Sequence, residues 1–221
     1  MAEHYGVKPK MFTKEWWPYY WMYYKWYTIA AVAIVAFIVM IIYDCVTKEK
    51  YDLEITYYGS NAYLSEMWEE LDTTLEEYIE DIDGNGEQNI LMIPLVMSNK
   101  SEDMQMNQAA YTQYTMSFTD TLSYLYIYDQ AQLDILIDED IVNGTFLTTD
   151  KWLKSDVSED SIVYGKNSKP YAISLKDSKI INSIGLNGED LYVLVKDDTK
   201  NPKQDEKVRK NAIIAANELI K

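Results

Sequence analysis

Residues 26–43 read WYTIAAVAIVAFIVMIIY, eighteen positions without a charge, a glycine or a proline. At about 1.5 Å per residue a helix of this length covers roughly 27 Å, enough to reach across the hydrocarbon core of a bilayer. Buried helices of soluble domains carry shorter apolar runs, about 10–14 residues, so the length favours a membrane span. Four of the six tryptophans (Trp16, Trp17, Trp21, Trp26) and five tyrosines (Tyr19, Tyr20, Tyr23, Tyr24, Tyr27) precede or open the run. Rings with an apolar body and a polar edge settle at the headgroup level, so residues 16–43 are expected to meet membrane lipid, with the aromatic belt on the N-terminal side.

A cleaved signal peptide fits these flanks poorly. Twenty-five residues precede the run, and Met40-Ile-Ile-Tyr-Asp-Cys45 has no pair of small residues for a peptidase. Tyr43 and Asp44 occupy positions where a lipoprotein box before Cys45 would need small or aliphatic side chains. The expectation is an uncleaved signal anchor. Lys8, Lys10, Lys14 and Lys25 lie before the span, against Lys48 and Lys50 just after it, which puts the N-terminus in the cytoplasm and the C-terminal domain outside. The expected organisation is a cytoplasmic and interfacial segment at 1–25, a transmembrane helix at 26–43, a juxtamembrane linker at 44–50 and an extracellular domain at 51–221.

Residues 44–221 carry 16 Lys+Arg against 34 Asp+Glu, a net charge of −18. Such a field repels a polyanion at long range, so no nucleic-acid partner is expected. Cys45 is the only cysteine, which excludes an intrachain disulfide and a thiolate metal cluster. The sole histidine, His4, lies on the predicted cytoplasmic side. Without an imidazole, Ser-His-Asp and Cys-His catalysis and the usual zinc sites are excluded from the domain. Paired carboxylates could still support glycosidase chemistry, but no spacing nominates a pair. No Walker loop, G-x-G-x-x-G or G-x-S-x-G occurs among the eight glycines.

The domain begins with a strand at Tyr51 to Tyr58, where apolar and polar positions alternate. A helix follows to about Glu80, capped by Ser60 or Asn61, with Leu64, Met67, Trp68, Leu71, Leu75, Tyr78 and Ile79 as its core stripe. Strands are predicted at Asn89 to Val96 and Thr121 to Tyr128, a helix at 104–120 between them, and a short helix capped by Asp129 after them. This βαβαβα run predicts a mostly parallel sheet. Beyond it, Trp152-Leu153 falls in a polar loop, and Ser161 to Tyr164, Pro170 to Leu175 and Leu191 to Lys196 are candidate strands. Pro202 opens a last helix that packs through Val208, Ala212, Ala215, Ala216 and Leu219.

The turn Glu80-Asp-Ile-Asp-Gly-Asn-Gly-Glu87 supplies the candidate metal residues Asp81, Asp83, Asn85 and Glu87. Asp81, Asp83 and Asn85 stand at positions 1, 3 and 5 of a calcium loop, with Gly86 at the sharp bend. Position 12 is Met92, where a bidentate carboxylate belongs, so any calcium site is of the weak, extracellular kind. A solvated helix-to-strand connection explains the same residues, with Gly84 and Gly86 supplying positive φ.

The run Asp52-Leu-Glu-Ile-Thr-Tyr-Tyr-Gly59, the helix after it, the Ile90 to Met97 strand, the helix near Gln108 to Asp120 and Leu125-Tyr-Ile-Tyr-Asp129 resemble the first lobe of type II solute-binding proteins of ABC importers. The aromatic run, the Asp-Gly-Asn-Gly-Glu turn and Asp103 to Gln108 are similar to single-span surface proteins of Gram-positive anaerobes. The likeness covers about residues 15–140. Solute-binding proteins clamp ligand between two lobes, and this domain is too short for both. Their Gly-x-x-Pro-Asp segment is replaced by Asp120-Thr-Leu-Ser, and no ligand-binding residue carries over.

The fold class expected is α/β: a transmembrane helix followed by a single three-layer domain with a mostly parallel sheet. The function expected is that of a non-catalytic, membrane-anchored binding or envelope-assembly module with no cofactor beyond weak calcium. A solute-binding or sensing component of an ABC-type transporter is the alternative, and a carboxylate-based hydrolase a second. A concave site is expected at the carboxyl ends of the strands, near Tyr57 to Asn61, Met97 to Asn99 and Tyr128 to Gln130. The many tyrosines would suit a surface that binds an envelope or membrane-protein partner.

Overall fold

The computed structural model describes residues 9–47, 51–82, 84–98, 103–119, 122–197 and 202–221. It divides into two units, Met1–Glu49 and Lys50–Lys221. The first is helix α1, Trp16–Thr47, and its stretch Trp16–Tyr43 is long and apolar enough to cross a membrane. Pro18 falls in the first turn, where its missing N–H has no helical acceptor to lose. The aromatic residues stack along i,i+4 rows: Trp16 on Tyr20 at 4.8 Å, and Tyr20 on Tyr24 at 5.8 Å between ring centroids. The Thr28 hydroxyl donates to the Tyr24 carbonyl at 3.0 Å, so this polar group is satisfied within the helix.

The second unit is a six-stranded mixed sheet with helices on both faces. Its elements are β1 (Leu53–Gly59), α2 (Ser65–Glu76), β2 (Ile90–Val96), α3 (Met104–Ser117), β3 (Ser123–Asp129), α4 (Gln130–Asp138), β4 (Ile162–Tyr164), β5 (Pro170–Ser174), α5 (Lys179–Ser183), β6 (Leu191–Val195) and α6 (Pro202–Leu219). The strand order is β2-β1-β3-β6-β5-β4. Only β2-β1-β3 is parallel; β6, β5 and β4 each pair antiparallel to their neighbour. The expectation of a mostly parallel sheet is therefore corrected to a mixed one.

The β4–β5 connection is short, and the β5–β6 connection lacks a long crossover helix. Residues 165–169 join β4 to β5 in a tight turn, with Gly165 N–H donating to the Lys169 carbonyl at 2.9 Å and Ser168 at φ 59°. Between β5 and β6, α5 has five residues, roughly 8 Å of helix, too little to carry the chain back along the sheet.

Two cores lie on the two faces. On one, Leu53, Ile55, Leu125, Ile127 and Val193 meet Trp68, Leu71 and Leu75 of α2 and Val208, Ala212, Ala216 and Leu219 of α6. Small side chains let α6 lie close to the strands. On the other, Tyr58, Tyr126, Tyr128 and Leu194 meet Ala110 and Tyr114 of α3 and Leu133 and Leu136 of α4. Both cores fall between Leu53 and Leu219, so the unit carries its own hydrophobic interior.

Many of the tyrosines expected at a binding surface are inside. Tyr58 stacks on Tyr114 at 4.0 Å, and Tyr126 and Tyr128 stack beside them at 6.1 Å. The Tyr114 and Tyr128 hydroxyls hydrogen-bond at 2.9 Å, and that of Tyr126 pairs with Ser117 Oγ at 3.0 Å, which permits phenols in this layer. Burial pushes all three phenols well above the ordinary range. Trp152, read from sequence as a loop residue, is 1% exposed and belongs to the first core. The backbone there is irregular, but the ring is an anchor.

Tyr114→Phe and Tyr128→Phe should each lower the unfolding free energy by about 1 kcal/mol, because each leaves one buried hydroxyl without its partner. In urea denaturation the double variant should cost less than the sum of the two; strict additivity would mean that the two hydroxyls do not interact.

Candidate functional site

The chain leaves β1 for a helix on the first face and leaves β3 for a helix on the second, so the carboxyl ends of these adjacent strands form a topological switch point. Tyr57 to Asn61 and Tyr128 to Gln130 meet there through side-chain and backbone hydrogen bonds. Met97 N–H reaches the Gly59 carbonyl at 2.7 Å, while Asn99 lies outside the described residues.

Two carboxylates tie these strand ends together. Asp129, 1% exposed, accepts from Ser60 N–H at 2.6 Å and Ser60 Oγ at 2.5 Å through Oδ2, and caps α4 by accepting from Gln132 N–H at 2.9 Å through Oδ1. Asp190 accepts from Asn61 Nδ2 at 2.8 Å and Gln130 N–H at 3.3 Å. Tyr57 donates to the Asn61 carbonyl at 3.1 Å, and Tyr192 to the Gln130 side-chain oxygen. Burial, then the nearby Asp129 carboxylate, holds the Tyr57 phenol far above its usual range, so it stays a donor. Gly59 is required by close approach: a Cβ there would collide with the Tyr57 hydroxyl.

Ser60 and Asn61 do not cap α2, as the sequence suggested. That helix starts at Ser65 without a side-chain cap, and both residues turn to the carboxylates instead.

Asp129→Ala should cost about 3 kcal/mol in urea unfolding, since it removes the cap and leaves Ser60 N–H buried without an acceptor. Asp129→Asn should cost less, because an amide oxygen can keep part of the set. Equal stability of wild type and Asp129→Ala would show that the latch is not structural.

The acidic turn is built around Asp81. Its carboxylate accepts from Gly84 N–H at 2.6 Å and Gly86 N–H at 2.8 Å, while Asn85 Oδ1 accepts from Glu87 N–H at 2.7 Å. Gly84 and Gly86 have φ of 76° and 91°, the left-handed region that glycine enters without strain. Buried Asp52 ties the turn to β1, accepting from Ile82 N–H at 2.7 Å and Asn89 N–H at 3.1 Å. Asp83 lies outside the described residues. Among the described residues, no three His, Cys, Asp or Glu side chains are grouped to hold a metal ion.

Titrating the soluble 51–221 domain with calcium should shift its melting temperature little, whereas Asp81→Ala should lower it with or without calcium. A rise of several degrees at micromolar calcium, abolished by Asp81→Ala, would establish a metal site.

Several concavities lie toward the other end of the sheet, where β3 begins. Asn143, Thr148, Lys151, Lys169, Tyr171 and Asp197 border a groove of about 510 Å³. Beside it, Phe118, Thr145 and Lys196 line one of about 280 Å³. Lys196, only 2% exposed, donates to the Ser117 and Phe118 carbonyls at 3.4 and 3.2 Å and lies 4.9 Å from the Tyr124 ring, so it caps the negative end of α3. A third groove, about 460 Å³, is bordered by Lys151, Lys154, Lys207, Arg209 and Lys210. The sequence reading missed these basal grooves; their one signal was the share of the domain's few cations held by 151–154 and the last helix.

Set against models of known families, curated proteins and solved structures, the chain matches none of them.

Proposed function

We propose that this protein is a non-catalytic binding or envelope-assembly module, held at the cell membrane by α1 with its N-terminus in the cytoplasm and residues 51–221 outside. The exposed apolar surface of α1 carries this reading. Ile29, Val32, Ile34, Val35, Phe37 and Ile38 are all about half exposed or more, with Trp17, Trp21 and Trp26 exposed ahead of them. Burying such a surface in lipid is strongly favourable, and the helix satisfies its own backbone there. The four lysines before the span against two after it support the orientation.

The polar groups of the domain support a binding role over a catalytic one. At the switch point Asp129 is occupied by backbone and hydroxyl donors, and the Tyr57 phenol is held protonated. A solute-binding or sensing partner of an ABC-type transporter is the second reading, favoured by the β2-β1-β3 order and its polar switch-point loops.

Protease added to intact cells should remove the chain beyond about residue 50 and leave an N-terminal fragment that stays with the membrane through alkaline carbonate washing. A fully protected domain would reverse the orientation, and release by carbonate would remove the anchor. The purified domain should show no turnover on glycoside, peptide or phosphoester substrates; turnover lost on a single Asp or Glu substitution would make it an enzyme.

A further inference from the structure

The third basal groove stands out electrostatically. Residues 44–221 carry a net charge of −18, yet Lys151, Lys154, Lys207, Arg209 and Lys210 border this one groove, against Glu80 and Glu206. Lys210 pairs with Glu80 at 2.5 Å and Lys151 with Asp197 at 3.8 Å. Among the described residues Lys154, Lys207 and Arg209 form no ion pair. Mutual repulsion among unpaired cations costs free energy, and an anion in the groove would relieve it.

The walls are fixed. Asn211 of α6, fully buried, grips the Glu80 backbone from both sides, accepting from its N–H at 3.0 Å and donating to its carbonyl at 2.8 Å. Asn217 does the same for the 152–154 segment, accepting from Lys154 N–H at 2.8 Å and donating to the Trp152 carbonyl at 2.9 Å. The chain segments that carry the cations are thus held before any ligand arrives, which lowers the ordering cost of binding.

We propose that this groove binds the phosphate group of anionic lipid headgroups, an inference that rests on the membrane-anchored reading. A guanidinium fork with ammonium groups beside it matches the geometry of a phosphate. The long-range repulsion that opposes a free polyanion does not prevent this contact, because the anchor already holds the chain at lipid and, at contact range, fields from charges beyond about 8 Å are screened at physiological salt. Nucleic acid would need a long basic track that the domain lacks among its described residues. A headgroup needs only one site, and the anchor holds lipid near the domain at an effective concentration on the order of millimolar.

The test uses the full chain in nanodiscs of phosphatidylcholine alone or mixed with phosphatidylglycerol, with lysine-directed labelling read by mass spectrometry. Labelling of Lys154 and Lys207 should fall severalfold in phosphatidylglycerol discs, recover in high salt, and leave Lys166, which does not border the groove and is paired with Asp138, unchanged. Arg209→Gln, on the partly exposed side of α6, should weaken the protection of Lys154 without lowering thermal stability. Protection by pyrophosphate in phosphatidylcholine discs, with none from phosphatidylglycerol, would overturn the headgroup as the ligand. Protection in neither arm would overturn the site, and failure of the chain to enter discs would instead overturn the anchor.

Discussion

The Asp129 carboxylate at the exit of β3 ties together the parts of the domain on which the others depend. One oxygen holds Ser60 at the exit of β1 and the other starts α4, so one buried side chain sets where two adjacent strands stop and where the next helix begins. Burying an ionised carboxylate is costly unless donors surround it, and here the donors are mostly backbone N–H groups that would themselves be orphaned without it. The two requirements cancel at one place. Asp190, just before β6, repeats the pattern, receiving Asn61 and Gln130.

The same economy recurs across the domain, with side chains serving as backbone partners where the chain is irregular. Asn107 accepts from Ser98 N–H and donates to its carbonyl, as Asn211 does with Glu80, while Asn217 spans residues 152 and 154. Asp52 fixes the acidic turn to the first strand. These groups bear on function by subtraction. An acidic chain supplies many carboxylates, but those at the strand ends and at the turn are engaged in holding backbone. The cations of the third groove are less engaged, and so the more open electrostatic opportunity lies at the base of the sheet.

Periodicity made the elements legible and left their directions unread. Alternation marked β1, and the apolar stripe marked α6, because a residue's neighbours on one face follow from local geometry alone. Strand direction follows from what lies between strands. The Gly165 to Lys169 turn was a readable hairpin signal that the βαβ pattern upstream overshadowed. Trp152 was rightly read as a loop residue, but its burial was not legible, because a loop ring is buried only by elements distant in sequence such as α6. Ser60 and Asn61 had the right chemistry for a helix cap and the wrong partner, since Asp129 and Asp190 come near only once the sheet has formed. Lys196 carried no signal: its acceptors are carbonyls at the end of α3, and a sequence does not display its carbonyls.

How such a domain meets a partner is constrained by its edges. Strand β2 is one rim of the sheet, and Asn89 and Met97 turn their backbone groups toward β1, so by the two-residue period the backbone groups of Ile90, Met92, Pro94 and Val96 point away from β1. The Ile90 N–H is taken by Glu76 at 3.0 Å, and Pro94 has none to offer. The middle of this rim therefore cannot complete a ladder with an added strand, a device that keeps exposed edges from pairing with other chains. At the opposite rim β4 is only three residues long. With both edges poor templates, recognition through strand addition is disfavoured. A partner is left the loops and grooves at the two ends of the strands, where the switch-point loops are tied to one another by Asp129 and Asp190 and the basal grooves are open.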